Sequence, residues 1–107
     1  MTQIDPTLKA GDDAAAAVQK TPNRVTIESL YDKIATVEYY NPEAVPHMTI
    51  AIVVLKNGFV VTGESAPADP ENFDLNLGKE FAHKAAVAKI WPLEGYLLRE
   101  ALAAGKG

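Results

Sequence analysis

Apolar and polar positions change rhythm three times along this chain. Between Thr26 and Glu38 the apolar residues Ile27, Leu30, Tyr31, Ile34 and Val37 fall at i, i+3, i+4, i+7 and i+10, the stripe of an amphipathic helix. Thr26 is placed to cap its start, and Glu28 sits in the first turn, where a negative charge suits the helix dipole. Pro42 and Pro46 stop the helix and impose an extended linker over 39–47. From Met48 to Gly63 the rhythm is that of strands, M-T-I-A-I-V-V-L-K and F-V-V-T-G around Asn57-Gly58. Asn-Gly tolerates φ > 0 at both residues, which predicts an antiparallel hairpin with a two-residue type I′ turn. From Leu75 to Ala103 the helical period returns in Leu77, Phe81, Ala85, Ala88 and Trp91, then Ile90, Leu93, Leu97, Leu98 and Ala101.

Punctuation refines these elements. Asp69-Pro70-Glu71 reads as cap, first-turn proline and first-turn acid of a short helical turn, and Asp74 caps the helix that follows. Pro92 predicts a kink near Ala88–Pro92 or two helices meeting at an angle, because an interior proline deletes a hydrogen bond and clashes with the preceding turn. In the first strand Ile50, Ile52 and Val54 take one face and Ala51, Val53 and Leu55 the other, so both faces are apolar. That pattern calls for a second covering surface, either a helix or another subunit. Residues 1–23 show no sustained period and predict a mobile tail, with a short helix docking on a neighbouring subunit as the rival. Gly105-Lys106-Gly107 predicts a frayed end. The expected fold is one α+β domain over 24–104: N-terminal helix, antiparallel β-hairpin, then a long kinked helix or two helices, assembled as a homo-oligomer.

Composition narrows the function. At 107 residues and 48% hydrophobic the chain suits one folded domain, but only 7% is aromatic and much of the remainder is alanine. A core this light makes self-assembly a natural supplement. A net charge of −4 argues against DNA binding, which needs a basic face, while leaving room for a small anion held by a few local cations. The absence of cysteine removes disulfides, thiolate catalysis and thiolate metal sites, and fits a reducing cytoplasm. M-T-Q-I-D-P-T has neither the basic start nor the apolar segment of a leader. The longest apolar run, Ile50–Leu55, is far short of the about 20 residues that cross a bilayer. The protein is expected to be soluble.

Candidate chemistry is sparse. His47 and His83 stand on different elements without metal-type spacing, and no metal or cofactor is expected. Gly63-Glu64-Ser65 lacks the spacing of either nucleotide-binding glycine motif, and Ser65 has no base nearby in sequence. Lys79, Lys84, Lys89 and Arg99 decorate the long helix, either as a solvated face or as cations that meet phosphates at a subunit boundary. Tyr31 lies beside the first apolar stripe, available for core packing or for stacking on a nucleobase. Trp91 is expected as a packing anchor. Nothing here assembles a catalytic set, and no enzyme is expected.

The runs L-K-N-G-F-V-V-T-G-E-S, D-P-E-N-F-D, L-G-K-E-F-A-H-K-A-A and K-I-W-P-L-E-G-Y-L-L-R-E, in that order, resemble a family of small tailed-phage accessory proteins over about residues 25–102. The layout of helix, hairpin and long helices is also similar to the phage sponge proteins that counter CBASS and Thoeris immunity. That second resemblance implies a non-enzymatic protein of the host cytoplasm, oligomeric and often hexameric. It implies sequestration of a cyclic di- or trinucleotide or a cyclic ADP-ribose-type signal between protomers, with neither DNA nor membrane as partner. The ligand residues it implies are Tyr31, His47, Ser65, Lys79, His83 and Arg99. The alternative is a small phage adaptor that binds a host protein through the hairpin or a helix stripe.

Overall fold

The computed structural model describes residues 4–105. Four helices, α1 (Pro6–Ala17), α2 (Ile27–Asp32), α3 (Leu75–Ala88) and α4 (Ile90–Ala103), accompany three strands, β1 (Ile34–Tyr40), β2 (Thr49–Leu55) and β3 (Val60–Ser65). The strands form one antiparallel sheet in the order β1-β2-β3. The α+β class, the hairpin and the bent C-terminal helix pair are as the sequence predicts. The helix expected over 27–37 is not: it ends at Asp32, and Ile34–Tyr40 form a third strand in place of a helix end and linker.

The hairpin turn also differs from expectation. Within the turn Gly58 alone has positive φ, at 91°, and Asn57 does not. The Gly58 N–H donates to Leu55 O and the Leu55 N–H to Phe59 O, each at 2.8 Å. This is a three-residue loop, Lys56-Asn57-Gly58, built as a type I turn with glycine in the left-handed region, not a two-residue type I′ turn. Asn57 contributes its side chain instead, accepting the Phe59 N–H at 2.9 Å.

β2 alternates as both-face burial requires. Thr49, Ala51, Val53 and Leu55 are buried toward α3, and Ile50, Ile52 and Val54 are half-buried on the opposite face. α3 rides on β2 and β3 at unusually short range. A Cβ built on Gly63 would lie 2.2 Å from Ala82 O and 2.3 Å from Ala86 N. The alanines that look like a light core from composition are therefore what lets helix and sheet close on each other. Ile27, Leu30 and Tyr31 of α2, Val61 of β3, Val87 of α3 and Ile90 of α4 complete the buried set, with Trp91 packed at its margin.

Local signals fix the ends. Thr26 and Ser29 form a reciprocal capping box at α2, and Asp74 Oδ1 accepts the Leu77 N–H at 3.0 Å at the start of α3. Asp69 caps the 3₁₀ turn Pro70–Asn72. α3 closes on Lys89 and α4 opens from the same residue. Pro92 then falls in the first turn of α4, where its missing N–H has no intrahelical partner to lose, so the interior-proline penalty does not arise.

Where a mobile tail is expected over 1–23, Pro6–Ala17 form α1, capped by Asp5, and α1 packs on its own α2. Residues 1–3 of that tail, and Lys106 and Gly107 at the other end, lie outside the described residues. Arg24 closes the α1 contact, its Nη1 2.6 Å from Oδ1 of buried Asp12. Lys9 bridges Asp13 at 2.8 Å and Glu28 at 3.1 Å, exposed pairs of small weight beside it. Ile4 and Leu8 lie against the core.

Candidate functional site: the β1-facing flank of α3

Two of the sequence-selected residues stand one helical turn apart on α3 and reach toward different neighbours. His83 turns inward. Its Nε2 lies 2.8 Å from the Tyr31 hydroxyl, with ring centroids 5.7 Å apart and planes at 49°. The Asp5 N–H also donates to the Tyr31 oxygen, at 3.4 Å. Which of the two groups donates in the Tyr31–His83 bond follows the imidazole tautomer, since the phenol oxygen can accept from both the Asp5 N–H and a protonated Nε2. The Nδ1 of His83 is buried and has no hydrogen-bond partner among the described residues. Both Tyr31 (6% exposed) and His83 (5%) are core residues.

Burial decides the electrostatics of this pair. It pushes His83 below its ordinary value of 6.5, partly opposed by the nearby Asp5 carboxylate, and it pushes Tyr31 upward. The Thr7 hydroxyl, which hydrogen-bonds Asp5, is the main reason its carboxyl is held below the ordinary range, with Lys84 acting in the same direction. In the unfolded chain His83 takes up a proton near 6.5, whereas folded His83 resists it. Its contribution to stability is therefore complete above that pH and is lost as pH falls from 6.5 through the lowered folded value. The urea midpoint of the wild type is expected to drop between pH 7.5 and 5, and His83→Gln to flatten that drop. An unchanged slope in the variant would show that another group carries it.

Lys79 turns outward. Its Nζ lies 5.5 Å from the centroid of the Tyr39 ring, a cation–π distance, at the margin where β1 overhangs α3. Tyr39 sits opposite Ala51, so its ring is on the α3 side of the sheet, and it is 36% exposed. Tyr39 escapes the sequence reading because it falls in the expected linker. The β-branched and aromatic run T-V-E-Y-Y is the signal that could have found it.

The other three candidates are elsewhere. Ser65 ends β3 opposite Thr49 and lines a groove of about 210 Å³ with Phe73, Leu77, Gly78 and Phe81, which holds none of the other five. His47 is half-buried in the β1–β2 loop, near the point where Asn41 Nδ2 donates to Met48 O at 2.7 Å. Arg99 is exposed on α4. The structure thus joins Tyr31 to His83, sets Lys79 one turn from them beside Tyr39, and leaves Ser65, His47 and Arg99 outside that group.

A larger open groove of about 540 Å³ runs between α2, the hairpin tip and α4, with Ser29, Lys33, Lys56 and Glu94 among its lining residues. It adjoins an apolar hollow of about 250 Å³ edged by Phe59, Leu93, Tyr96 and Leu97. Among the described residues no group of three or more His, Asp or Glu is placed to hold a metal ion, and no helix is long and apolar enough to cross a membrane.

Comparison with curated proteins finds no match, and neither does comparison with solved structures. The model of the phage protein family typified by N4 Gp49 and phage Sf6 gene 66 matches residues 21–102, which takes in α2, the whole sheet and both C-terminal helices up to Leu102. On that match the chain belongs to the N4 Gp49/phage Sf6 gene 66 family of phage proteins.

Proposed function

We propose that this phage protein is a non-enzymatic binder that sequesters a small cyclic-nucleotide immune signal of the host, in a site shared between copies of itself. The observation that carries this reading is the Lys79–Tyr39 pair. A cation and an aromatic face stand together on an exposed margin, the two chemistries that a phosphodiester bearing a planar base calls for. Sequestration requires binding alone and asks nothing of a nucleophile or a general base. The half-bare sheet face of Ile50, Ile52 and Val54 and the exposed apolar side of α4 supply surfaces on which copies can assemble.

The test is a retention assay. The protein is incubated with a cyclic dinucleotide, a cyclic trinucleotide or cyclic ADP-ribose, freed of unbound ligand and denatured. Intact nucleotide is expected in the supernatant. Cleaved nucleotide would make the protein an enzyme. A second reading, an adaptor for a host protein, is favoured by the apolar hollow of Phe59, Leu93, Tyr96 and Leu97. No retention of any of the three nucleotides, together with a stable host complex lost on Tyr96→Asp, would establish that reading instead.

A further inference from the structure

β1 ends the sheet, and its outer edge has the composition of a strand that pairs. Over Ile34–Tyr40 it carries neither proline nor lysine, the usual devices that blunt an edge, and its one charge is Glu38. The bulge between Ile34 and Thr36 disturbs only its first residues. Ala35, Thr36, Glu38, Tyr39 and Tyr40 are all exposed.

The direction of the free backbone groups follows from the ladder. The Leu55 N–H points to Phe59, that is, toward β3. Alternation then turns Ile50, Ile52 and Val54 toward β1, where they face Tyr40, Glu38 and Thr36. Those three β1 residues are used inside the sheet. Val37 and Tyr39 therefore send their N–H and C=O groups out of the free edge.

We infer that β1 pairs antiparallel with β1 of a second copy, centred on Val37, and that this seam unites two Lys79–Tyr39 pairs in one ligand site. The inference rests on the sequestration reading for what the site holds, but not for the pairing itself. The register is selected by strand overlap and charge, since Val37 is the midpoint of Ile34–Tyr40 and centring there pairs the strand over its full length. With Val37 opposite the second copy's Val37, outward-facing groups meet outward-facing groups, and Glu38 lies opposite Thr36. A shift centred on Glu38 still pairs outward-facing groups, Val37 with Tyr39, but sets the two Glu38 side chains face to face. In the Val37 register the two Tyr39 residues stand two positions either side of the dyad, about 13 Å apart along the seam at ~3.3 Å per residue. The two rings share the α3 side of one continuous sheet, each with its own Lys79. One protomer holds half of that arrangement.

Cysteine is absent from the natural chain, so single substitutions report the register directly. Val37→Cys is expected to form a disulfide-linked dimer on mild oxidation, because residues facing across such a pair have Cα atoms about 5.5 Å apart. Tyr40→Cys, on the same strand but far from the dyad, and Thr62→Cys, central on β3, are expected to stay unlinked. In the linked Val37→Cys dimer, Lys79→Ala should lower retention of a cyclic trinucleotide at least tenfold without changing the yield of linked dimer. Linking through Thr62, linking at Tyr40 equal to that at Val37, or no linking at Val37 would overturn the pairing. Linking at Val37 with unaltered retention in Lys79→Ala would overturn the shared site. Linking at Val37 in a protein that retains no nucleotide at all would uphold the pairing and remove the sequestration reading.

Discussion

Gly63→Ala is expected to lower the unfolding free energy by about 3 kcal/mol, the upper part of the range for overpacking a closed core. The added methyl would meet Ala82 O at 2.2 Å, Ala86 N at 2.3 Å and Ala85 C at 2.9 Å. All three are backbone atoms of α3, so no side-chain rotation relieves the clash. The helix must lift, and lifting it draws Ala82, Ala86 and Val87 away from the sheet together. Gly63 has no unusual φ, so the penalty is one of space and not of conformation. Gly95→Ala is the control: nothing lies within 4 Å of its added methyl, and in a helix interior the change should be neutral or stabilise by about 0.5–1 kcal/mol. Urea midpoints of both variants check the contrast, and near-equal midpoints would mean that α3 does not sit where described.

Tyr31 should give an effect at least as large, with a graded response. Tyr31→Ala is expected to cost about 3–5 kcal/mol, as for any buried aromatic ring cut to a methyl. Tyr31→Phe keeps the ring and removes only the hydroxyl. His83 Nε2 then loses its partner, and the Asp5 N–H loses its acceptor. Leaving buried polar groups unpaired costs about 1–3 kcal/mol. Chemical unfolding of the two variants measures both terms. Effects below about 0.5 kcal/mol in both would instead fit a surface residue free to stack on a ligand. Nucleotide binding lost in Tyr31→Ala but kept in Tyr31→Phe would report on folding, so retention is better judged from Lys79.

The part of the fold that stood plainly in the sequence is the part governed by local chemistry. Asn57-Gly58 between β-branched runs marks a hairpin whichever turn type forms. Asp69, Asp74 and Thr26 are caps in sequence and in space. β1 was illegible for a specific reason. In a regular strand Ile34 and Val37 would point to opposite faces, but the bulge inserts one residue, so Ile34 meets Leu55 and Val37 meets Val53 on the same inner face. An i, i+3 apolar spacing then imitates a helix and continues the true helical stripe of Ile27, Leu30 and Tyr31. α1 was hidden differently: its alanines show no stripe, and it is held by the Asp12–Arg24 contact, which spans twelve residues and leaves no local pattern. Tyr39 was lost along with β1, which is why the sequence could propose Lys79 without its aromatic neighbour.

Lys89 is at once the end of α3 and the beginning of α4, and no side chain caps the junction. α3 is fixed to the sheet through Gly63, whereas α4 buries only Ile90 fully. The fourteen residues of α4 make a lever about 21 Å long. A swing of about 10° at Lys89 would carry the far end near Leu102 through roughly 4 Å, so a small torque at one joint becomes a large sweep at the tip.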